Sequence, residues 1–373
     1  MKKKKKGQTT FLDRFIQFIG IVLIFALILG CLAGKIDPRD NKYIPFFGLA
    51  YPYFLFLNVA FIVWCLFRKQ WLFALSSILV ILIGWQAFNA SIGFFGKDGV
   101  GPKADNDAIR MMTYNVHSFR PYGEEVIETV KEQMLDLIAD ENPDIICFQE
   151  FFTRYKGPYN INDSLKQSLK IKNTYFVPIS QNEYEANGLA IFSRYPIVNK
   201  GQIDFKEHKN GNTCIWADVQ TPGKLIRVYN VHLQSIAFDK QDYNYLDKIK
   251  TKMDPELSSS KRIVSMLKLA FQKRSEQVDY MKNSMRNCNI PYIIAGDFND
   301  TPASYAVTQL TSPLNNSFVK EGTGLGRTYN GKFPNFQIDY ISTSKNIDIL
   351  NHRVIEAELS DHFPVRADLK LKP

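Results

Sequence analysis

Three long apolar runs open the chain. Residues 12–34, 44–67 and 71–95 carry almost no charge. Each is close to the roughly 20 residues an apolar helix needs to cross a bilayer. The link 68–70 is so short that the second and third runs must form a hairpin. Gly, Asp and Lys then dominate residues 98–107, which read as a linker. Beyond residue 108 the pattern changes to short apolar runs of strand length, at 109–116, 144–148, 188–192, 213–219, 225–231, 292–295, 339–342 and 365–369. Helical spacing marks 124–139, where Ile127, Val130, Met134, Leu137 and Ile138 share a face, and the longer stretch 258–285. Strands that succeed one another with few helices between them predict an α/β (α+β) fold. Two mixed sheets would pack face to face with helices outside. The expected organisation is a three-helix transmembrane region over 1–97, a linker over 98–107 and a folded domain over 108–373.

Charge sharpens this division. The formal net charge is +9, yet residues 1–97 hold 12 Lys and Arg against three Asp and Glu, while the remainder holds 34 of each kind. The folded domain is therefore neutral, and the basic pI says nothing about an affinity for nucleic acid. Lys2–Lys6, Arg68 and Lys69 belong on the cytoplasmic side by the positive-inside rule. Three crossings from a cytoplasmic N-terminus place everything after Lys97 outside. The expectation is an integral protein of a bacterial inner or plasma membrane, with the bilayer as a partner and no protein partner. A lysine run before an apolar stretch also opens signal peptides, and Ile28-Leu29-Gly30-Cys31 loosely resembles a lipoprotein cleavage box. Leu is a poor fit at its position there, and two further runs follow. The five cysteines show neither metal spacing nor a disulfide framework.

Candidate chemistry sits where the strand-like runs end or begin. Asn115 closes MMTYN, Glu150 follows DIICFQ, and His232 closes VYNVH. Asp297 and Asn299 follow YIIAG, Asp339 opens DYIS, and Asp361-His362 precede the last strand. With alternating side chains, Asp297 and Asn299 would point together while Phe298 turns into the core. The bland alternative for that stretch is an Asx turn. One polar strand end is chance; six at the edges of one sheet system read as a site. Asn, Glu and Asp are hard oxygen donors suited to magnesium. Two histidines can donate to phosphate oxygens or protonate a leaving group. No Gly-x-Ser-x-Gly, His-Glu-x-x-His or Cys-x-x-Cys pattern points to another chemistry. His117 stands two residues after Asn115 and either lines the site or lies in an exposed loop. Asn187 is read as a turn residue, and His208 and His352 as surface residues.

The ordered set TYN, FQE, GLAIFSRYPI, NVHL, GDFN, IDYI and SDHFPV resembles the endonuclease/exonuclease/phosphatase superfamily of DNase I-like phosphoesterases, over about residues 109–369. The resemblance implies a four-layer α/β sandwich, cleavage of phosphoester bonds, and Mg2+, with Mn2+ as a substitute and one or two metals bound. By the same resemblance Asn115 and Glu150 are metal-site residues, Glu150 being the main ligand, and Asp361 lies beside the metal. Asp297 positions or deprotonates the attacking water with Asn299 as its partner. His362 stabilises the transition state and is oriented by Asp339, and His232 contacts phosphate or protonates the leaving oxygen. Substrates in the superfamily include nucleic acid, phospholipid headgroups and small phosphorylated metabolites. A non-catalytic membrane receptor or scaffold on the same fold is the alternative. Residues 240–274 hold nine Lys and Arg against four Asp and Glu, and they either line one wall of the site and meet an anionic group or form a solvated amphipathic helix.

Overall fold

A computed structural model describes residues 10–120, 129–205, 211–236, 238, 240–252, 256–331, 334 and 336–372. The start of the 124–139 helix, His208 and Lys2–Lys6 lie outside the described residues.

Five helices come first: α1 (Phe11–Ala33), α2 (Ile44–Leu49), α3 (Tyr51–Phe67), α4 (Trp71–Ile83) and α5 (Trp85–Ser91). They correct the expectation of three spans. Among the described residues only α1, by length and composition, is a single helix able to cross a membrane. The second run breaks at Ala50, leaving α3 with 17 residues. Pro52, in the first turn of α3, has no N–H with which to continue the ladder of α2. The freed Gly48 carbonyl instead accepts from Thr301 Oγ1 at 3.5 Å. The third run bends by 76° between α4 and α5, and counting that bent pair as one span gives two at most. Gly84, at the bend, lies so close to α1 that a Cβ would come within 2.3 Å of Cys31 Sγ. Helices α1, α3 and α4 bury Phe61, Cys65 and Ala74 among themselves. Their outer faces leave Phe11, Phe18, Phe25, Phe56, Leu72 and Ile83 exposed.

The rest of the chain builds two sheets. The first draws on β1 (Ile109–Asn115), β2 (Ile145–Arg154), β3 (Asn173–Gln181) and β4 (Glu185–Ser193), with α6 (Val130–Glu141) and α7 (Ile161–Ser168) between them. The second opens with β5 (Ile197–Ile203), β6 (Thr213–Gln220) and β7 (Leu225–His232). Helices α8 (Lys240–Lys252) and α9 (Leu257–Arg286) lead to β8 (Tyr292–Asp297). Then come α10 (Tyr305–Thr311), β9 (Asn315–Asn316), α11 (Ser317–Glu321) and β10 (Asp339–Thr343). The chain returns to the first sheet with β11 (Ile347–Ile349), β12 (Arg353–Val354) and β13 (Val365–Leu371). The seven-stranded sheet runs β11-β13-β1-β2-β4-β3, with β12 on β13, and the six-stranded sheet runs β5-β6-β7-β8-β10-β9. Both are mixed, because β1–β2 and β7–β8 are parallel and their other pairs antiparallel.

Alternation along the strands makes three apolar layers. Met111, Ile145, Cys147 and Leu189 of one sheet meet Ile215, Val228, Ile293 and Ile341 of the other. The opposite side chains of the first sheet pack on Met134 and Ile138 of α6 and Leu165 of α7. Those of the second pack on Val278 and Met281 of α9 and Leu310 of α10. This is the expected pair of mixed sheets flanked by helices. Polar groups pin the two sheets together near one end. Gln149 Nε2 donates to Asn230 Oδ1 at 2.6 Å, and Asn230 Nδ2 donates to the carbonyls of Phe148 and Ala190 at 2.9 Å each. His352, read from sequence as a surface residue, is buried, with Nδ1 at 2.8 Å from Ser317 Oγ. Burial holds its pKa down at about 4.

Candidate active site

Parallel pairing at the centre of each sheet brings the functional strand ends to one edge. Asn115 ends β1 opposite Gln149 of β2. His232, ending β7, pairs with Asp297, ending β8, and Asp297 pairs in turn with Asp339, opening β10. Gly296 lies inside β8, at φ 144°. A Cβ there would fall 2.0 Å from the Val231 carbonyl oxygen, so glycine permits β7 and β8 to approach and brings His232 and Asp297 side by side.

Glu150 reaches the site by another route. Strand β2 continues to Arg154, but its register on β4 slips between Phe148 and Phe151. Glu150 sits in that bulge at φ 52°. A bulge re-aims one side chain, here into the cavity. Asn187 lies beneath it, donating to Ser118 Oγ at 2.8 Å and to the Glu150 carbonyl at 3.4 Å.

The result is a cavity of about 250 Å³ whose polar lining includes Asn115, His117, Glu150, His232, Asp297, Asn299, Asp361 and His362. Asp339 stands behind His362, with Oδ2 at 2.9 Å from Nδ1. At the centre is Asp297 Oδ2. It lies 3.6 Å from His232 Nε2 and 3.7 Å from His362 Nε2, and accepts from Asn115 Nδ2 at 3.1 Å and Asn299 Nδ2 at 3.2 Å. Asn299 N also donates to Asp297 Oδ1 at 2.8 Å, so the Asx turn and the paired side chains coexist. The reason differs from the expected alternation: Asn299 has φ 53°, and its side chain returns to Asp297 from a left-handed residue. Phe298 is buried against Tyr340, as expected.

Charge is tuned group by group. Burial, aided by the Asp339 charge, raises the Asp297 pKa to about 6, against the pull of His362 and His232. Burial opposes charging His362, but Asp339 and Asp297 outweigh it and push its pKa well above the ordinary range. Burial would raise Glu150 too, yet the bond from His117 and the nearby imidazoles hold it down at about 2. The same bond to Glu150 raises His117.

Sequence comparison decides the family. A family model described as "Endonuclease/Exonuclease/phosphatase family" matches residues 112–362. The chain belongs to the endonuclease/exonuclease/phosphatase family. It is a hydrolase acting on phosphoester bonds. A second model, described as a domain of unknown function (DUF8431), matches residues 13–91. No curated protein matches the chain. Among solved structures, a humanized D. rerio TDP2 aligns at 14% identity over 71% of this chain and 100% of its own, with a TM-score of 0.50, and shares the fold. The human Nocturnin catalytic domain with bound sulfate aligns at 18% identity over 71% of this chain and 95% of its own, TM-score 0.49. The Bacteroides thetaiotaomicron mannosyl-6-phosphatase aligns at 19% identity over 70% of this chain and 100% of its own, TM-score 0.47.

Two groups in this phosphoesterase have the make-up of a cation site. Asp297, Asp339 and His362 bring ligand atoms within 4.8 Å of one another, all buried. Two of those residues are already joined through Asp339 Oδ2 and His362 Nδ1, which suits orientation of an imidazole. Glu150 Oε2 and Asp361 Oδ1 instead flank His117 Nδ1, at 3.6 and 3.7 Å. Two accessible carboxylates beside an amide fit a magnesium ion that keeps several waters.

Some of these placements carried no signal in the sequence. Gln149 and Asn230 look like ordinary strand residues until their strands face each other. His117 lines the cavity because three successive residues, His117, Ser118 and Phe119, take positive φ, which no local motif announces. The 240–274 segment does line a wall, through Tyr243, Leu267, Phe271 and Arg274. Lys248 is exposed there, and the side chains of Lys250 and Lys252 lie outside the described residues.

Proposed function

We propose that this phosphoesterase is a magnesium-dependent hydrolase that attacks a phosphodiester or phosphomonoester with a water activated at Asp297. One observation carries the reading: a single carboxylate oxygen, Asp297 Oδ2, is met by two imidazoles and two side-chain amides at 3.1–3.7 Å. With its pKa raised to about 6, Asp297 is a base matched to neutral pH. The water oxygen forms the new P–O bond while its proton passes to Asp297. The bond to the leaving alkoxide breaks, and that oxygen takes a proton from His232. His362, held by Asp339 and cationic, stabilises charge on the phosphoryl oxygens. Asn299 fixes the rotamer of Asp297. Glu150, Asp361 and Asn115 would hold Mg2+ or Mn2+, which when bound supplies further neutralisation of phosphoryl charge.

In this reading residues 1–97 anchor the enzyme in a bacterial inner or plasma membrane, 98–107 join the two parts, and 108–373 form the catalytic domain. In the same reading the N-terminus is cytoplasmic and the catalytic domain lies outside. A cytoplasm-only fluorescent reporter fused after Pro373 should stay dark, and a bright fusion reverses the orientation. The zero net charge of residues 98–373 weighs against a nuclease, which usually gains affinity from a basic surface. The receptor or scaffold alternative has no observation in its favour, since a binding role does not require a tuned base between two imidazoles.

The chemistry is tested with bis-p-nitrophenyl phosphate. Turnover should need magnesium or manganese, stop in EDTA, and vanish in Asp297→Ala. Hydrolysis that survives both EDTA and Asp297→Ala refutes the mechanism.

A further inference from the structure

The cavity has two halves of opposite character. Carboxylates and imidazoles form one. The other includes Leu49, Ile236, Phe238, Leu267, Phe271 and Phe336. Leu49 comes from outside the sandwich. It ends α2, between the apolar helices α1 and α3, and packs with Phe46 on Leu267 and Phe271.

This placement is anchored along the middle of one helix, over residues 267–279. Phe46 meets Phe271 edge-on at 5.4 Å, and Lys268 Nζ lies 4.4 Å from the Tyr43 ring centroid. Ser275 Oγ donates to Asp37 Oδ1 at 2.6 Å, and Arg39 pairs with Asp279 at 2.8 Å. The segment between α1 and α3 is thus docked on α9, the helix that carries part of the cavity wall. A plain tether needs none of these contacts.

The apolar wall also continues outward. Tyr53, in the first turn of α3, meets Phe336 at 6.2 Å. Farther along the same helix Phe56 is 72% exposed and Leu57 44%. An apolar path therefore joins the outer face of α3 to the edge of the catalytic cavity. Along Leu49, Leu267, Phe271 and Phe336 a nucleoside or sugar would set hydroxyls against apolar side chains, which costs free energy. An alkyl chain would instead leave water along it.

We propose that the substrate is an amphiphilic phosphoester, its phosphate at Asp297 and the two histidines and its alkyl or acyl chain along Leu49 and Phe271 toward α3. This rests on the phosphoesterase reading above and names its substrate class. The N-terminal segment is then part of the binding site, and Leu49 is a specificity-determining residue.

The test uses the full chain reconstituted in phosphatidylcholine vesicles with magnesium. Substrates are p-nitrophenyl phosphodiesters of methyl through octyl alcohols, read by p-nitrophenolate release. Over the short members kcat/KM should rise by up to about fourfold per methylene that reaches the wall. The slope of that rise should fall in Leu49→Gln and, less steeply, in Leu49→Ala, with thermal unfolding checked for each variant. Turnover with no dependence on chain length overturns the inference and leaves the phosphoesterase reading standing. A slope unchanged in both variants removes the N-terminal segment from the site. Failure to hydrolyse any member, methyl included, counts against the phosphoesterase reading itself.

Discussion

The loop that carries Asp297 and Asn299 is held by one buried ion pair, and removing its cation should be costly. Arg274 of α9 places Nη1 2.7 Å from Asp300 Oδ2 and donates to the Asn299 carbonyl at 2.6 Å. The two side chains are only 1% and 4% exposed. Arg274→Met keeps most of the volume but strands a carboxylate in the interior, at a cost of about 3–5 kcal/mol. For a unit of this size each kcal/mol moves Tm by about 2–4 °C, so melting should fall by roughly 6–20 °C. Near-UV circular dichroism on the full chain at pH 8 reads this directly. The defect should shrink as pH falls, because burial already raises the Asp300 pKa and losing Arg274 removes the opposing pull. Once protonated, Asp300 costs less to bury. Arg274→Met combined with Asp300→Leu should recover much of the loss, since neither charge is then stranded. A single variant melting within 2 °C of the parent, or a double variant no better than the single, refutes the argument.

Three further outcomes follow from the site and the core. As the proposed base, Asp297 would work only when deprotonated, so kcat/KM for bis-p-nitrophenyl phosphate should drop as pH falls through about 6, and Asp297→Asn should lose about 10²–10⁴-fold together with that limb of the profile. Asp339→Asn removes the carboxylate that orients and charges His362; kcat should fall at least tenfold with little change in KM, and an unaltered pH profile would separate Asp339 from the imidazole. His352 titrates at about 4 in the fold and near 6.5 when unfolded, so the unfolded chain binds the extra proton between those values. Stability from this group is therefore complete above pH 6.5 and about 3 kcal/mol is lost by pH 4, a slope that urea titrations should find reduced in His352→Gln.

Much of the catalytic edge was readable because its parts are local. The strand Tyr292–Asp297 with Asn299 just after it is one of six apolar runs with a polar residue at an end, and that repetition is legible without the fold. The buried strands of both sheets stand out as apolar runs, whereas the edge strands β3 and β5 mix polar and apolar positions and pass unnoticed. Glu150 was found as a residue but not as a conformation: nothing in FQEFF marks one register slip inside a strand that continues beyond it. His352 looked like a surface residue because its partner, Ser317, is 35 positions away. The N-terminal runs were apolar enough to read as spans, yet Pro52 and Gly84 decide where helices stop. The contacts made by residues 35–49 are tertiary and carry no periodicity at all.

The bulge at Glu150 has a consequence for anyone who evolves this enzyme. A left-handed backbone on a non-glycine residue is held at a cost of order 1–3 kcal/mol. Glycine at that position relieves the strain and deletes the carboxylate in one substitution. A library sorted for heat tolerance alone would therefore drift toward an inert scaffold, enriched for its most stable and least useful members. Recovering a robust catalyst means sorting for turnover first and temperature second.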